Sequence, residues 1–164
     1  MSEEQSGDEV REMTADEMAE LEKLDDAIAK FEEQKRWSDM IRSILKKADL
    51  VQEPAEKVEL FRNAGTLYLE RSSNQAEAIK CFEQLLEYDA TDVDAIERLK
   101  QMYEKRRDWE KLIRAMQREV ELLPEDDRLS RYAEMAELAT QRLRKPDVCI
   151  ELWQKVLEGD SENP

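Results

Sequence analysis

One stretch of this chain occurs twice. Residues 31–51 and 103–123 align without a gap, and they place Trp37 and Trp109 at the same position, 72 residues apart. Self-similarity at a fixed spacing is typical of repeat arrays, in which neighbouring units share one core. The chain is therefore interpreted as consecutive copies of one structural unit, whose function lies on an extended surface.

The composition predicts that these units are helical. The chain has 164 residues, the size of one ordinary domain, and 41% of them are charged, but it has only 3 glycines and 4 prolines. Apolar residues recur at spacings of three and four, as in Leu21, Leu24, Ile28 and Phe31. No segment alternates polar and apolar residues as a half-buried strand does. We therefore expect an all-α protein.

Short polar or proline-containing breaks divide the helical pattern into eight helices, paired as four hairpins. Pro54 and Pro146 suit the first turn of a helix, and Gly159 is expected to cap the end of the last one. One hairpin has too little apolar surface to be stable alone, so consecutive hairpins are expected to stack on one continuous core. At the end of the chain, Leu152 and Val156 are expected to remain exposed.

The hairpins resemble the tetratricopeptide repeat (TPR), a helix–turn–helix unit of about 34 residues. The matching residues are Phe61, Ala64, Gly65, Tyr68, Ala78 and Phe82 in the second hairpin, and Ile96, Leu99, Tyr103, Met116 and Pro124 in the third. The first and fourth hairpins match in part. The resemblance implies a right-handed superhelical solenoid of antiparallel helix hairpins over residues 16–164, with units of about residues 21–54, 58–92, 93–126 and 129–162. The acidic residues 1–15 are expected to form a disordered tail.

The repeat pattern assigns packing roles to several residues. Gly65 is expected where the two helices of a hairpin cross closely, whereas Phe82, Met116 and Trp153 are expected to fill the gap to a neighbouring hairpin. Lys100 departs from the pattern, because it stands where a small residue is expected. These residues are therefore interpreted as structural and not as ligands.

The residues that most enzymes need are missing from the sequence. The chain has no histidine, no glycine-rich phosphate loop and no Gly-x-Ser-x-Gly motif. The two cysteines, Cys81 and Cys149, are far apart, and they are interpreted as reduced and structural. We therefore predict that the protein is not an enzyme and has no cofactor and no metal site.

The net charge of −15 disfavours nucleic acid and anionic membranes as partners, because both would repel the chain. It favours a protein or peptide partner of basic or amphipathic character, although solubility alone can account for an acidic surface. The sequence contains no apolar stretch long enough for a membrane span and begins with no signal sequence, so a cytoplasmic location is predicted.

The TPR resemblance also implies where such a partner binds, since the first helices of TPR units line a concave face. The residues assigned to that face as partner-binding are Arg62, Asn63, Thr66, Arg98, Gln101, Glu134 and Glu137. Asp25 and Asp94 occupy positions where the carboxylate-binding subclass of TPR proteins has lysines, so no clamp for a carboxylate terminus is predicted. An alternative for Arg62 and Arg98 is ordinary ion pairing along an exposed helix.

The leading functional hypothesis is a non-enzymatic scaffold that binds a protein segment on this concave face. The alternative is a structural spacer or assembly segment excised from a longer solenoid. A related hypothesis is self-association through the terminal helix. The sequence itself does not identify a partner.

Overall fold

A computed structural model describes residues 11–161, and within this range the chain is all-α, with no strand. The eight helices are α1 (Ala15–Glu33), α2 (Trp37–Leu50), α3 (Pro54–Glu70), α4 (Gln75–Tyr88), α5 (Val93–Arg106), α6 (Trp109–Leu122), α7 (Glu125–Arg142) and α8 (Pro146–Ser161). The predicted acidic tail, residues 1–15, lies mostly outside the described residues. The predicted unit boundaries remain a prediction.

Local sequence signals account for most helix starts. Thr14 begins α1 with a capping box, in which its side chain accepts from the Glu17 amide while the Glu17 carboxylate accepts from the Thr14 amide. The side chains of Asn74, Asp92 and Asp108 accept from backbone amides at the starts of α4, α5 and α6. Pro54 and Pro146 begin α3 and α8, as the sequence predicted.

The turns within the first three hairpins share one unusual backbone feature. Lys35, Ser73 and Arg107 have φ of 54°, 48° and 56°, in the left-handed region. None of these residues is glycine, the usual occupant of that region. Each lies just before the second helix of its hairpin, separated from it by one residue, so the same turn is repeated along the chain.

Helix packing follows chain order: each helix contacts extensively only the helices before and after it within residues 11–161. A continuous core of buried residues runs from Ala48 in α2 to Leu152 in α8, and a smaller cluster around Ile41 and Ile44 joins α2, α3 and α4. This arrangement is a helix-hairpin solenoid and not a closed bundle, because a bundle would bring distant helices together. The predicted all-α hairpin solenoid is confirmed.

The end of the array differs from the sequence prediction. Leu152 is 1% exposed and Val156 is half-buried, whereas both were expected to be exposed. Gly159 does not end α8 but lies inside it, against the side chain of Leu129 in α7. Trp153, expected to fill a gap, remains 39% exposed. Leu152 belongs to the face of α8 that faces the core, whereas no helix within residues 11–161 follows α8 to cover Trp153.

Candidate functional site

The residues predicted to bind a partner lie on the first helices of three hairpins. Arg62, Asn63 and Thr66 are on α3, Arg98 and Gln101 are on α5, and Glu134 and Glu137 are on α7. None of the seven is buried, and four of them, Asn63, Gln101, Glu134 and Glu137, are exposed. Spacings of three and four place the members on each helix along one side of it.

Arg62 joins two hairpins. Its guanidinium donates from Nη2 to Asp92, the N-cap of α5, and from Nη1 to Oδ2 of Asp94 at 3.1 Å. Burial raises the pKa of Asp92, but hydrogen bonds from Arg62 and from the Ala95 amide outweigh it and hold that pKa below its usual value. The sequence analysis offered an ion pair along one helix as an alternative role for Arg62. The main partner of Arg62 is instead Asp92, thirty residues away at the start of the next hairpin.

Arg98 is also engaged. Its Nε donates to Oδ2 of Asp94 at 3.0 Å, and its Cζ lies 5.6 Å from the ring centroid of Phe82 on α4. The first contact is the ion pair along a helix that the sequence offered as an alternative, and the second packs α5 over the preceding hairpin. The two arginines therefore hold consecutive units together.

The other predicted residues differ in whether their polar groups already form hydrogen bonds or ion pairs within the protein. Gln101 donates to Glu97 on its own helix at 3.1 Å, and Glu134 accepts from Arg131 at 2.6 Å. Within residues 11–161, the side chains of Asn63, Thr66 and Glu137 make no hydrogen bond or ion pair. Those three are the members of the set whose polar groups are available for a new contact.

A half-buried ionic cluster was not predicted from the sequence. Lys100, read there as a departure from the repeat pattern, donates to Glu97 and to Glu119 of α6, each at 2.9 Å. Oε2 of Glu119 is buried without a hydrogen-bond partner, although Nε of Arg131 on α7 lies 3.5 Å from it. Burial lowers the pKa of Lys100, but the bonds to Glu119 and Glu97 outweigh it and raise that pKa overall. The cluster joins three helices where a small residue would leave a gap.

A cleft of about 290 Å³ opens among α4, α5 and α6. At its floor the hydroxyl of Tyr103 donates to Oε1 of Glu83 at 2.6 Å, and Lys111 donates to the same oxygen at 3.0 Å. Burial and the bond to Glu83 raise the pKa of Tyr103. None of the seven predicted residues lines this cleft, and the ion pair across it has no sequence signal, since its members are 28 residues apart.

The two cysteines are free thiols, with Cys81 buried and Cys149 half-buried. In the described part of the chain, no group of three or more His, Cys, Asp or Glu side chains is placed to hold a metal ion. None of the helices between residues 11 and 161 combines the length and apolar character needed to cross a bilayer.

No protein-family model and no curated protein sequence matches the chain. Solved structures that match the chain include a crystal structure of MamA, at 18% identity and a TM-score of 0.48, covering 87% of this chain and 79% of that one. A further crystal structure of the MamA protein has 15% identity and a TM-score of 0.39, covering 88% and 94%. The MamA RS-1 ArsTM double mutant has 16% identity and a TM-score of 0.36, covering 87% and 95%. At such low similarity, the assignment to all-α hairpin solenoids rests on the helices and contacts described above.

Proposed function

We propose that the protein is a non-enzymatic scaffold of the TPR type that binds a protein segment along the first helices of its hairpins. The observation that carries this proposal is the set of exposed or half-buried polar side chains on α3, α5 and α7, of which Asn63, Thr66 and Glu137 make no hydrogen bond or ion pair within residues 11–161. Stacked hairpins present such side chains along an extended surface, which is how repeat proteins generally bind.

The charge of this surface favours a basic partner. The acidic residues among the exposed positions of these helices include Glu59, Asp94, Glu97, Glu134 and Glu137. Four of these carboxylates are paired with Arg62, Arg98, Lys100 or Arg131, so the excess of negative charge comes from Glu137 and from the net charge of −15 of the whole chain. A segment rich in lysine or arginine would gain from this field at long range, whereas an acidic segment would be repelled.

The roles within the predicted set divide accordingly. Asn63, Thr66, Gln101, Glu134 and Glu137 contact the partner, while Arg62 and Arg98 hold the hairpins in the register that presents them. A charge change at Arg62 would weaken binding by disturbing the fold, so it is a poor test of direct contact.

Two exposed positions provide a cleaner test. Asn63→Arg and Glu137→Arg place positive charge on the proposed surface without removing an internal contact. Gln84→Arg, at an exposed position of α4, is the matched control for Asn63→Arg, because both replace a neutral side chain by a cation. The tagged chain and each variant are used to capture partners from the source lysate, and the captured proteins are identified and quantified. We expect basic partners that Gln84→Arg retains and the other two lose. Equal capture by all three variants would contradict the proposed surface.

A further inference from the structure

Helix α8 presents an apolar stripe to solvent. Ile150 is 56% exposed, Trp153 39% and Leu157 66%. Their spacings of three and four place them on one side of the helix. A stripe of this kind normally faces a core.

The same three positions are buried in every earlier hairpin. The second helices begin at Trp37, Gln75, Trp109 and Pro146, and the stripe lies four, seven and eleven residues after each start. The equivalent residues are Ile41, Ile44 and Ala48 in α2, Ile79, Phe82 and Leu86 in α4, and Ile113, Met116 and Val120 in α6. All nine are at most 8% exposed. Residue 150 is thus an isoleucine like its buried counterparts Ile41, Ile79 and Ile113, but its own side chain is exposed.

The first helix of the following hairpin covers these positions in the interior of the array. α3 packs on α2, α5 on α4 and α7 on α6. Arg98 of α5, for example, lies over the ring of Phe82. Within residues 11–161 no helix covers these positions of α8, and an amphipathic helix laid against α8 as α7 is laid against α6 would cover them.

Two of the covering helices also show how a basic residue contributes. Lys57, the fourth residue of α3, donates to the carbonyl of Ala48 near the end of α2 at 2.6 Å. Arg128, the fourth residue of α7, donates to the carbonyl of Leu123 after α6 at 2.9 Å. The last carbonyls of a helix carry partial negative charge and lack partners within it, so a cation there is favourable.

The charge around the stripe strengthens the preference for a basic helix. α8 carries four acidic residues, of which Asp147 and Asp160 border the stripe, three residues from Ile150 and from Leu157 respectively. Its one basic residue is Lys155, whose Nζ lies 5.8 Å from the ring centroid of Tyr132 on the neighbouring α7. A second copy of α8 would bring acid against acid. Residues 1–10 hold four acidic residues and no basic one, so they do not match either.

We infer that the open face formed by Ile150, Trp153 and Leu157 binds an amphipathic α-helix of a partner protein, with basic residues beside its apolar stripe. The apolar side chains supply the contact area, and the acidic residues of α8 select the charge of the incoming helix. This face is separate from the polar surface of α3, α5 and α7, and the inference does not depend on that surface binding anything.

A synthetic helix with a sequence based on α3 provides a probe. The labelled peptide has the sequence of residues 54–70 with Glu56→Lys, Glu59→Lys and Glu70→Lys, and the unmodified peptide is its control. Binding to the full chain is followed by fluorescence anisotropy. We expect the lysine peptide to bind more tightly than the unmodified one, and Leu157→Glu or Ile150→Glu to weaken its binding at least roughly tenfold. Circular dichroism checks that both variants keep their helix content, which their exposed positions lead us to expect.

Met18 on α1 supplies the matched control, because it is 54% exposed and apolar but lies in the first hairpin. Met18→Glu is expected to leave peptide binding unchanged. Three outcomes would overturn the inference: no binding of the lysine peptide to the wild-type chain, equal binding to the α8 variants, or a concentration-dependent dimer in light scattering that Leu157→Glu dissociates. The last outcome would assign the face to a second copy of the chain.

Discussion

Phe82 lies directly against Gly65, so that a Cβ atom on residue 65 would sit 2.8 Å from the Phe82 ring and 3.2 Å from Cβ of Cys81. Both neighbours are almost fully buried and cannot move aside easily. The glycine therefore lets α3 and α4 approach closely enough to bury the Phe82 ring, which is the role that the repeat pattern assigned to it.

Gly65→Ala is expected to lower the free energy of unfolding by about 1–2 kcal/mol. The added methyl group overpacks a tight contact, which costs about 1–3 kcal/mol, and the better helix propensity of alanine returns about 0.5–1 kcal/mol. Urea denaturation monitored by circular dichroism measures the difference.

Gly159→Ala is the control for this prediction. Its Cβ would also meet an atom at 2.8 Å, but that atom is Cδ1 of Leu129, the far end of a half-buried side chain. We expect Leu129 to rotate and the variant to be unchanged or slightly more stable. If both variants lose the same stability, the contact with Phe82 is not the cause.

Trp109→Ala should lower stability by about 2–3 kcal/mol, somewhat less than the loss of a fully buried tryptophan. The Trp109 ring is half-buried against the core, and Arg142 at the end of α7 lies over it at 5.4 Å. Trp37, at the equivalent position, lies under Arg71 at the end of α3 at 4.7 Å and should respond similarly to alanine. A loss under about 1 kcal/mol at Trp109 would instead indicate a peripheral ring.

The sequence was sufficient to predict the features that depend on residues close together in the chain. Helix periods, prolines at first turns and the small residue at 65 all report contacts within one helix or one hairpin. The left-handed backbone conformation of Lys35, Ser73 and Arg107 could not be predicted from the sequence, because glycine usually occupies that conformation.

Contacts between hairpins could not be predicted from the sequence. Arg62 was assigned to a binding surface, whereas its guanidinium pairs with Asp92, and nothing in a single sequence connects residues thirty apart. Leu152 was wrongly expected to be exposed for a related reason: several apolar residues lie along α8, and only the packing of α8 on α7 decides which of them are buried. The direct contribution of Asn63, Gln101 and Glu137 to binding stays a prediction.

Arg62→Met should lower the free energy of unfolding by about 1–2 kcal/mol at neutral pH and by less at acidic pH. The substitution leaves Asp92, whose side chain is 12% exposed, without its ionic partner. Because the pKa of Asp92 is depressed in the folded state, the stability from this pair is present above the unfolded pKa of about 4 and is lost as the pH falls through the lower folded value. The difference in the free energy of unfolding between wild type and variant, measured by urea denaturation, should therefore be smaller at pH 3 than at pH 7. Lys80→Met, which removes an exposed pair with Glu77, should have little effect at either pH.

Cys81 should be alkylated by iodoacetamide far more slowly than Cys149 at pH 8. Burial, followed by the negative charge of Glu77, raises the pKa of Cys81 to about 11, and the residue is only 4% exposed. Reaction requires an accessible thiolate, so modification of Cys81 should follow unfolding of the chain, while half-buried Cys149 reacts in the folded state. Mass spectrometry of a time course separates the two sites. Equal rates in the native protein would mean that α3 and α4 open locally.

The pair of Lys100 and Glu119 offers a test of whether the half-buried ionic cluster contributes to the stability of the array. Lys100→Met should cost about 2–4 kcal/mol, because it leaves the 17% exposed carboxylate of Glu119 with only the oblique contact to Arg131. The double variant Lys100→Met, Glu119→Leu removes both charges at similar volume and should recover most of that loss, since replacing a buried ion pair by apolar side chains is often neutral. Arg131 keeps its pair with Glu134 in the double variant. Urea denaturation of the two single variants and the double variant completes the cycle. Additive losses would show that Lys100 and Glu119 act independently and that the cluster is not a coupled unit.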